Sequence, residues 1–435
     1  MPTISHKISE FTVNLKYEDL PAEVVFQVKK FLLDSIGCAF GGWDTEDIQI
    51  QHKLHKQMGG APEATVLVSG AKLPMNHATL LNSLLIRALD YNDIYWEEDP
   101  SHPSDIIPAA LTPAEALGRS GKDLITAIVL AYEFEQRMCE FAHPGIRERK
   151  WHHATLTGFV SPIVAGKILG LNVDQMVKAI GISGSHTCTL GAVTAGKLTN
   201  MKNTVDPMAV QAGVLAAQLA KEGYSGPEHV IDGKEGLTDT FGPEFELNLL
   251  TDNLGKDWRI LRCSMKAYSA EALTHSPITA VQKIVKDNNL KPRDISGILV
   301  KTVARAADIL SDPSKYKPTS KETADHSLPY CLAAAVADGM VTPAQFKEEK
   351  LKDPQIWDLM PKIKVVAEPE FEKLFPRLKA TEVTVTDNKG NKHTLRVDYP
   401  KGDYRDPMSE DELFYNSTAW FWTRWAGKNA TAWLN

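Results

Sequence analysis

Arg87-Ala-Leu-Asp90-Tyr-Asn-Asp93-Ile-Tyr-Trp96, with the Glu97-Glu-Asp-Pro-Ser-His102-Pro-Ser-Asp105 that follows it, separates two apolar runs, residues 78–89 and 106–117. The first run is helical by its spacing and delivers Asp90 at its carboxyl end, where an acid meets the unfavourable end of the helix dipole. Pro100 and Pro103 then break the chain around His102, and Ser104 or Asp105 stands where a cap would open the second run. A carboxylate at one helix end and an imidazole before the next helix suit an acid–base cleft. The competing reading is a solvated acidic loop, which on these residues alone is the commoner outcome.

Outward from this stretch, the chain from residue 22 to about 223 reads as helical. Val24, Val25, Val28, Phe31, Leu32 and Ile36 recur at three- and four-residue steps until Gly41-Gly42. Ala-rich runs follow at 124–134, 157–169, 175–181 and 208–221, with Asp206-Pro207 read as the N-cap and first turn of the last. Several are apolar on more than one face, which predicts helices inside a bundle. Past about residue 260 the texture changes. Residues 295–303 form a short run rich in β-branched side chains, 381–386 and 392–397 alternate as a hairpin, and helices are expected at 277–287, 327–338 and 343–349. A boundary is therefore expected near residue 262. The tail 409–425 reads as helical and carries Phe414, Tyr415, Trp420, Phe421, Trp422 and Trp425. So much aromatic area is expected to pack on the helical domain or on a second subunit. The fold class is mainly α with a smaller α+β domain.

The 435 residues carry a net charge of −7, so no general field attracts nucleic acid or an anionic membrane. No apolar run approaches the ~20 residues a membrane span needs. The five cysteines are scattered singly and the first residues lack an apolar signal core, which together lead us to expect a cytoplasmic protein. Dinucleotide-binding, phosphate-loop, zinc-protease and serine-hydrolase motifs are absent. His152 and His153 are adjacent, and on a helix they would diverge by about 100°. Neither a metal nor a cofactor is therefore expected.

The remaining candidates are isolated polar groups in apolar helical context: Asp90, His102, His152, Lys202, Lys266, Glu271, His275 and His326. Lys202 just ahead of the Asp206-Pro207 helix start reads as a carboxylate clamp, because free N–H groups there favour an anion. Lys266, Glu271 and His275 put three ionisable groups within ten residues at the expected boundary, and such boundaries often hold small ligands.

These residues also carry a resemblance. Phe31-Leu-Leu-Asp34-Ser-Ile-Gly37, Leu89-Asp90-Tyr-Asn-Asp93 with His102-Pro-Ser, Trp151-His152 with Thr157-Gly158, Lys202, Lys266 with Ser269-Ala-Glu271 and His275, Ala324-Asp-His326-Ser-Leu-Pro-Tyr330, and Tyr399-Pro-Lys-Gly402 resemble the MmgE/PrpD family over nearly the whole chain. The resemblance implies an all-helical domain, residues 1–262 completed by the tail 405–435, and an α+β lid domain, 263–404. It implies a homodimer without a required metal. Asp90, His102, His152, Lys202 and Lys266 match the family's active-site pattern, with Asp93, Glu271 and His275 as substrate-binding positions beside it. The branch it is most similar to implies a lyase dehydrating 2-methylcitrate to 2-methyl-cis-aconitate. Ile94 departs from the family's usual threonine. Alternatives are a decarboxylase or epimerase on a related di- or tricarboxylate (cis-aconitate, iminodisuccinate) and, in another class, a non-catalytic anion-binding helical dimer. In the dehydratase reading His102 and His152 are the acid–base pair, in an order the sequence does not assign. Asp90 orients an imidazole or holds a substrate hydroxyl, and Lys202 and Lys266 meet the charge developing on substrate carboxylates.

Overall fold

The computed structural model describes residues 2–195 and 198–413. The chain divides into two compact units, one of residues 2–263 with 410–413, the other Ser264–Ser409. The first is built on α1 (Ile4–Asn14), α2 (Ala22–Gly42), α3 (Glu46–Met58), α4 (Met75–Arg87), α5 (Ile107–Ala116), α6 (Gly121–Glu140), α7 (Ala154–Leu169), α8 (Val173–Gly184), α9 (Met201–Lys221) and the single turn α10 (Leu237–Thr240). Two minimal ladders, β1–β2 (Ala64–Thr65, Lys72–Leu73) and β3–β4 (Tyr95–Trp96, Pro100–Ser101), lie in its loops.

Local chemistry explains most boundaries. Ser120 with Asp123 and Asn172 with Gln175 form capping boxes that open α6 and α8. Gly170, left-handed at φ 72°, closes α7. Helix α7 is apolar all round, and every residue in it except Lys167 is buried. It packs against α5, α6, α8 and α9 as the centre of the unit. Its crossing with α9 is possible because residue 213 is glycine: a Cβ there would lie 2.3 Å from the Ser161 Cβ.

Two expected helix starts are corrected. Asp206-Pro207 does not open α9, which begins a turn and a half earlier at Met201 and carries Pro207 in its interior. The buried residues run back through Lys202, Asn203, Thr204 and Val205, so packing of that turn outweighs the proline's missing donor. Neither Ser104 nor Asp105 caps α5; the chain enters it through a 3-10 turn, Pro103–Ile106, with both side chains bonded elsewhere. Helices α1 and α3 lay outside the sequence reading.

The second unit holds a four-stranded sheet in the order β6-β5-β7-β8. Strand β5 (Ile295–Thr302) pairs in parallel with β6 (Ile363–Ala367) and antiparallel with β7 (Thr381–Asp387), which forms the expected hairpin with β8 (Lys392–Val397). Ile298 and Val300 of β5 and Val383 and Val385 of β7 are buried, and α11 (His275–Asp287) packs on β7 and β8. The unit also contains α12 (Ala304–Ile309), α13 (Lys321–Ala324) and the buried α14 (Leu328–Asp338). The helix expected at 343–349 is instead a 3-10 turn, Pro343–Phe346, then a single turn, Glu348–Leu351, because Lys347 between them is extended. The chain is thus mostly helical with one small sheet. Among the described residues no helix is long and apolar enough to cross a membrane. The aromatic positions of the tail, from Phe414 on, lie outside the described residues.

Candidate active site

Helix α4 ends at Arg87, and the chain turns at Asp90, whose φ of 51° is left-handed. Aspartate is among the few side chains that tolerate this region. The turn places the Asp90 carboxylate between two cations. Arg87 Nη1 lies 2.6 Å from Asp90 Oδ1, and Lys202 Nζ lies 3.1 Å from Asp90 Oδ2. Burial works against the Arg87 charge, but Asp90, then Asp105 and Asp206, more than offset it and keep the guanidinium protonated. Lys202 is the second residue of α9 rather than a residue ahead of the helix. Its own N–H donates to Thr199 O and that of Asn203 to Asn200 O, so these two first-turn donors are already satisfied. An anion here would be held by the ammonium rather than by those donors.

The segment after Asp90 is tied into a compact polar knot. Ser104 donates to the Asp93 carboxylate through its hydroxyl at 2.6 Å and through its N–H. Asn92 donates to Ser104 Oγ and to Asp105, and Asp105 Oδ2 lies 3.5 Å from Arg87 Nε. His102 is fixed by its Nδ1, 2.6 Å from the carbonyl oxygen of Asp93. A carbonyl only accepts, so Nδ1 carries the proton and a neutral His102 presents a lone pair at Nε2.

His152 is fixed in the opposite sense. The strand-like pairing of Trp151 with Leu190 and a bond from His152 N–H to Thr189 O hold it just before α7. The N–H of Ala154 donates to its Nδ1 at 3.1 Å, so the neutral ring carries its proton on Nε2. Burial first, then the charge of His153, push its pKa well below the usual histidine value.

Residues 152 and 153 precede the helix, so the expected 100° divergence does not apply. Their rings lie 4.0 Å apart, and His153 is 5.8 Å from the His102 ring. His153 Nε2 is 3.4 Å from Asp206 Oδ1, and one ligand atom from each of His152, His153 and Asp206 falls within 4.8 Å of the others. With His152 Nδ1 occupied by a main-chain donor and Asp206 beside His153, we read these as an ion-paired cluster. Thr157 donates to Glu135 at 2.9 Å and lies 3.4 Å from Asp206. Burial pushes Glu135 up to about 8, with the Thr157 hydroxyl opposing and Asp206 and Asp93 adding. Asp105 is likewise raised well above the carboxylate range, by burial and its acidic neighbours against Arg87. Glu135 therefore holds a proton near neutral pH, which limits the negative charge an anionic ligand would meet.

The four sequence candidates of this unit, Asp90, His102, His152 and Lys202, thus share one buried network, none more than 7% exposed. Arg87, Glu135, His153 and Asp206 also belong to it and were not among the candidates. Lys266, Glu271 and His275 sit in the second unit. Lys266 Nζ and His275 Nε2 both donate to Ala270 O, at 3.3 and 3.1 Å. The Glu271 carboxylate accepts the Leu273 N–H as a cap. His326 Nδ1 lies 2.6 Å from Asp325.

A helical unit with a buried histidine and ammonium network, joined to a small α+β unit, defines the class. The chain belongs to the MmgE/PrpD family: the model of the family's N-terminal domain matches residues 6–250 and that of its C-terminal domain residues 268–414. Among its relatives, the cis-aconitate decarboxylase of Aspergillus terreus (strain NIH 2624 / FGSC A1156) is 26% identical over 95% of this chain and 88% of its own length. The cis-aconitate decarboxylase of Homo sapiens is 27% identical over 95% and 86%. The 2-methylcitrate dehydratase of Cupriavidus necator is 23% identical over 86% and 81%.

Proposed function

We propose that this chain is a lyase acting on a small tricarboxylate, using its own histidines for acid–base chemistry. The observation that carries the reading is the opposed tautomers of His102 and His152, set by main-chain partners, in the same buried network as the Arg87–Asp90–Lys202 bridge. His102 Nε2 is the base. His152, neutral, donates a hydrogen bond from Nε2–H, and the Lys202 ammonium meets charge developing on a substrate carboxylate. Lys266 serves as a second cation in this reading, and Glu271, His275 and Asp93 position groups around it.

Dehydration of 2-methylcitrate would run as follows. His102 takes a C–H proton next to a carboxylate, the electron pair forms the double bond, and the β-hydroxyl departs. The proton held by His102 passes to the departing oxygen, so water leaves without net proton uptake. Decarboxylation of cis-aconitate uses the same groups in another order: the C–C bond breaks, the pair remains on carbon, and the His102 imidazolium protonates it. The names and coverage of the relatives keep this second reaction beside the first. The two require opposite starting charges on His102. Dehydration is expected to gain rate as pH rises through the His102 titration, and decarboxylation to lose it.

Purified protein offered both compounds in the presence of a chelator tests the proposal. Rising near-ultraviolet absorbance from 2-methylcitrate marks the dehydratase, and carbon dioxide from cis-aconitate the decarboxylase. Folded protein that turns over neither, or only with added metal, contradicts it. We further infer a cytoplasmic homodimer. Met201, Met208 and Leu215 recur every seven residues along α9 and are exposed in the single chain, an apolar stripe suited to a second copy.

A further inference from the structure

His153 has no part in the chemistry above, yet it is buried, beside both of the histidines that do. Its ring lies 4.0 Å from that of His152, tilted by 34°, and meets His102 edge-on at 5.8 Å. Asp206 lies 3.4 Å from its Nε2, and neither ring nitrogen of His153 makes a hydrogen bond among the described residues. Two imidazoles this close in a dry site cannot both be charged without strong repulsion. The surroundings are unequal. The carboxylate lies beside His153, whereas a main-chain N–H points at the Nδ1 of His152 and resists a proton there.

We propose that His153 is a positioning residue: paired with Asp206, it carries the one positive charge the adjacent imidazoles accept and so keeps His152 neutral, with Nε2–H as its donor. The surrounding charges fit this division. Arg147 and Arg87 add to the lowering of His152, while Asp206 opposes it. Burial would raise Asp206, but the charge of His153 foremost, with that of Arg87, holds it well below the carboxylate range. The remaining titratable neighbours are His102, Asp99, whose carboxyl feels the His153 charge, and Glu135 beyond Thr157. The inference rests on the lyase reading for its consequence, not for the charge division itself.

Nitrogen NMR of the full chain labelled at histidine tests it without reference to activity, with His153→Gln supplying the assignment. Near pH 7 the His153 ring is expected to show two protonated nitrogens and the His152 ring one, at Nε2. In His153→Gln the His152 ring should take up a proton at a pH about one unit higher or more. His153→Lys, which restores a cation beside Asp206, should return it towards the wild-type value. A charged His152 beside a neutral His153 in the wild type, or an unmoved His152 titration in His153→Gln, overturns the proposal. If the titration moves but no tricarboxylate is turned over, the charge division stands and the lyase reading fails. If turnover is present, the acidic limb of kcat/KM should move with the His152 titration in the same variants.

Discussion

At the scale of single residues, the Asp90 carboxylate is the junction on which the site's charge depends. With Arg87 at 2.6 Å and Lys202 at 3.1 Å it is shared by two buried cations. Lys202→Met leaves Arg87 to hold Asp90, so the fold should survive while the cation offered to substrate disappears. Turnover is expected to fall by roughly a hundredfold or more, and circular dichroism should be unchanged. Glu135 provides a test of pH dependence. Its carboxyl is raised from 4.5 in the unfolded chain to about 8. Between those values the folded state holds a proton that the unfolded state has lost, so stability falls as pH rises through the window and levels off above it. Glu135→Gln removes that penalty. Its melting temperature relative to wild type should rise by a few degrees between about pH 5 and about pH 8.5; a constant difference would contradict the assignment. Asp90, His102, His152 and Lys202 were legible as candidates because they interrupt apolar sequence. His153 and Asp206 were not. One was set aside by helical spacing that applies only inside a helix, and the other was read as a cap. Glu135 and Arg87 sat within helical runs where a charged residue normally faces water.

At the scale of elements, the site depends on α7 and α9 meeting closely, because one starts beside His153 and the other carries Asp206 and Lys202. Gly213 permits that approach, since any Cβ there runs into Ser161 and Pro162. Gly213→Ala should cost about 1–3 kcal/mol. It should also lower activity beyond its effect on stability, because it separates Asp206 from His153; a thermal melt paired with kcat checks both. Helix periodicity in the sequence located α2, α4, α5, α7 and α8 to within a few residues and the bodies of α6 and α9, because each buries a broad apolar face. It failed where one residue's propensity was opposed by packing, as at Pro207, which is the seventh residue of α9 rather than part of its first turn. The hairpin β7–β8 was readable from its alternation. Strand β6 was not, since Ile363-Lys-Val-Val-Ala367 is too short to show a period and borrows its register from β5.

At the scale of the whole molecule, the sequence carried the helical first part and the mixed second part through a change in texture, and membership of the MmgE/PrpD family agrees with it along both. Assembly belongs to this scale too. If the stripe Met201, Met208 and Leu215 is covered by a second copy, sedimentation should give twice the 48.0 kDa of the chain. Met208→Lys with Leu215→Lys should then yield monomers, whereas an unchanged dimer would place the interface elsewhere. The proposed chemistry is tested most directly by proton NMR in deuterated water, with wild type and His102→Gln each incubated with 2-methylcitrate and with cis-aconitate. Wild type is expected either to convert 2-methylcitrate to the alkene with loss of its C–H signal, or to convert cis-aconitate with one solvent deuterium entering at carbon next to a carboxylate, and His102→Gln, equally folded, to do neither. Either conversion by His102→Gln at the wild-type rate would contradict the assignment of His102 as the group that moves the proton.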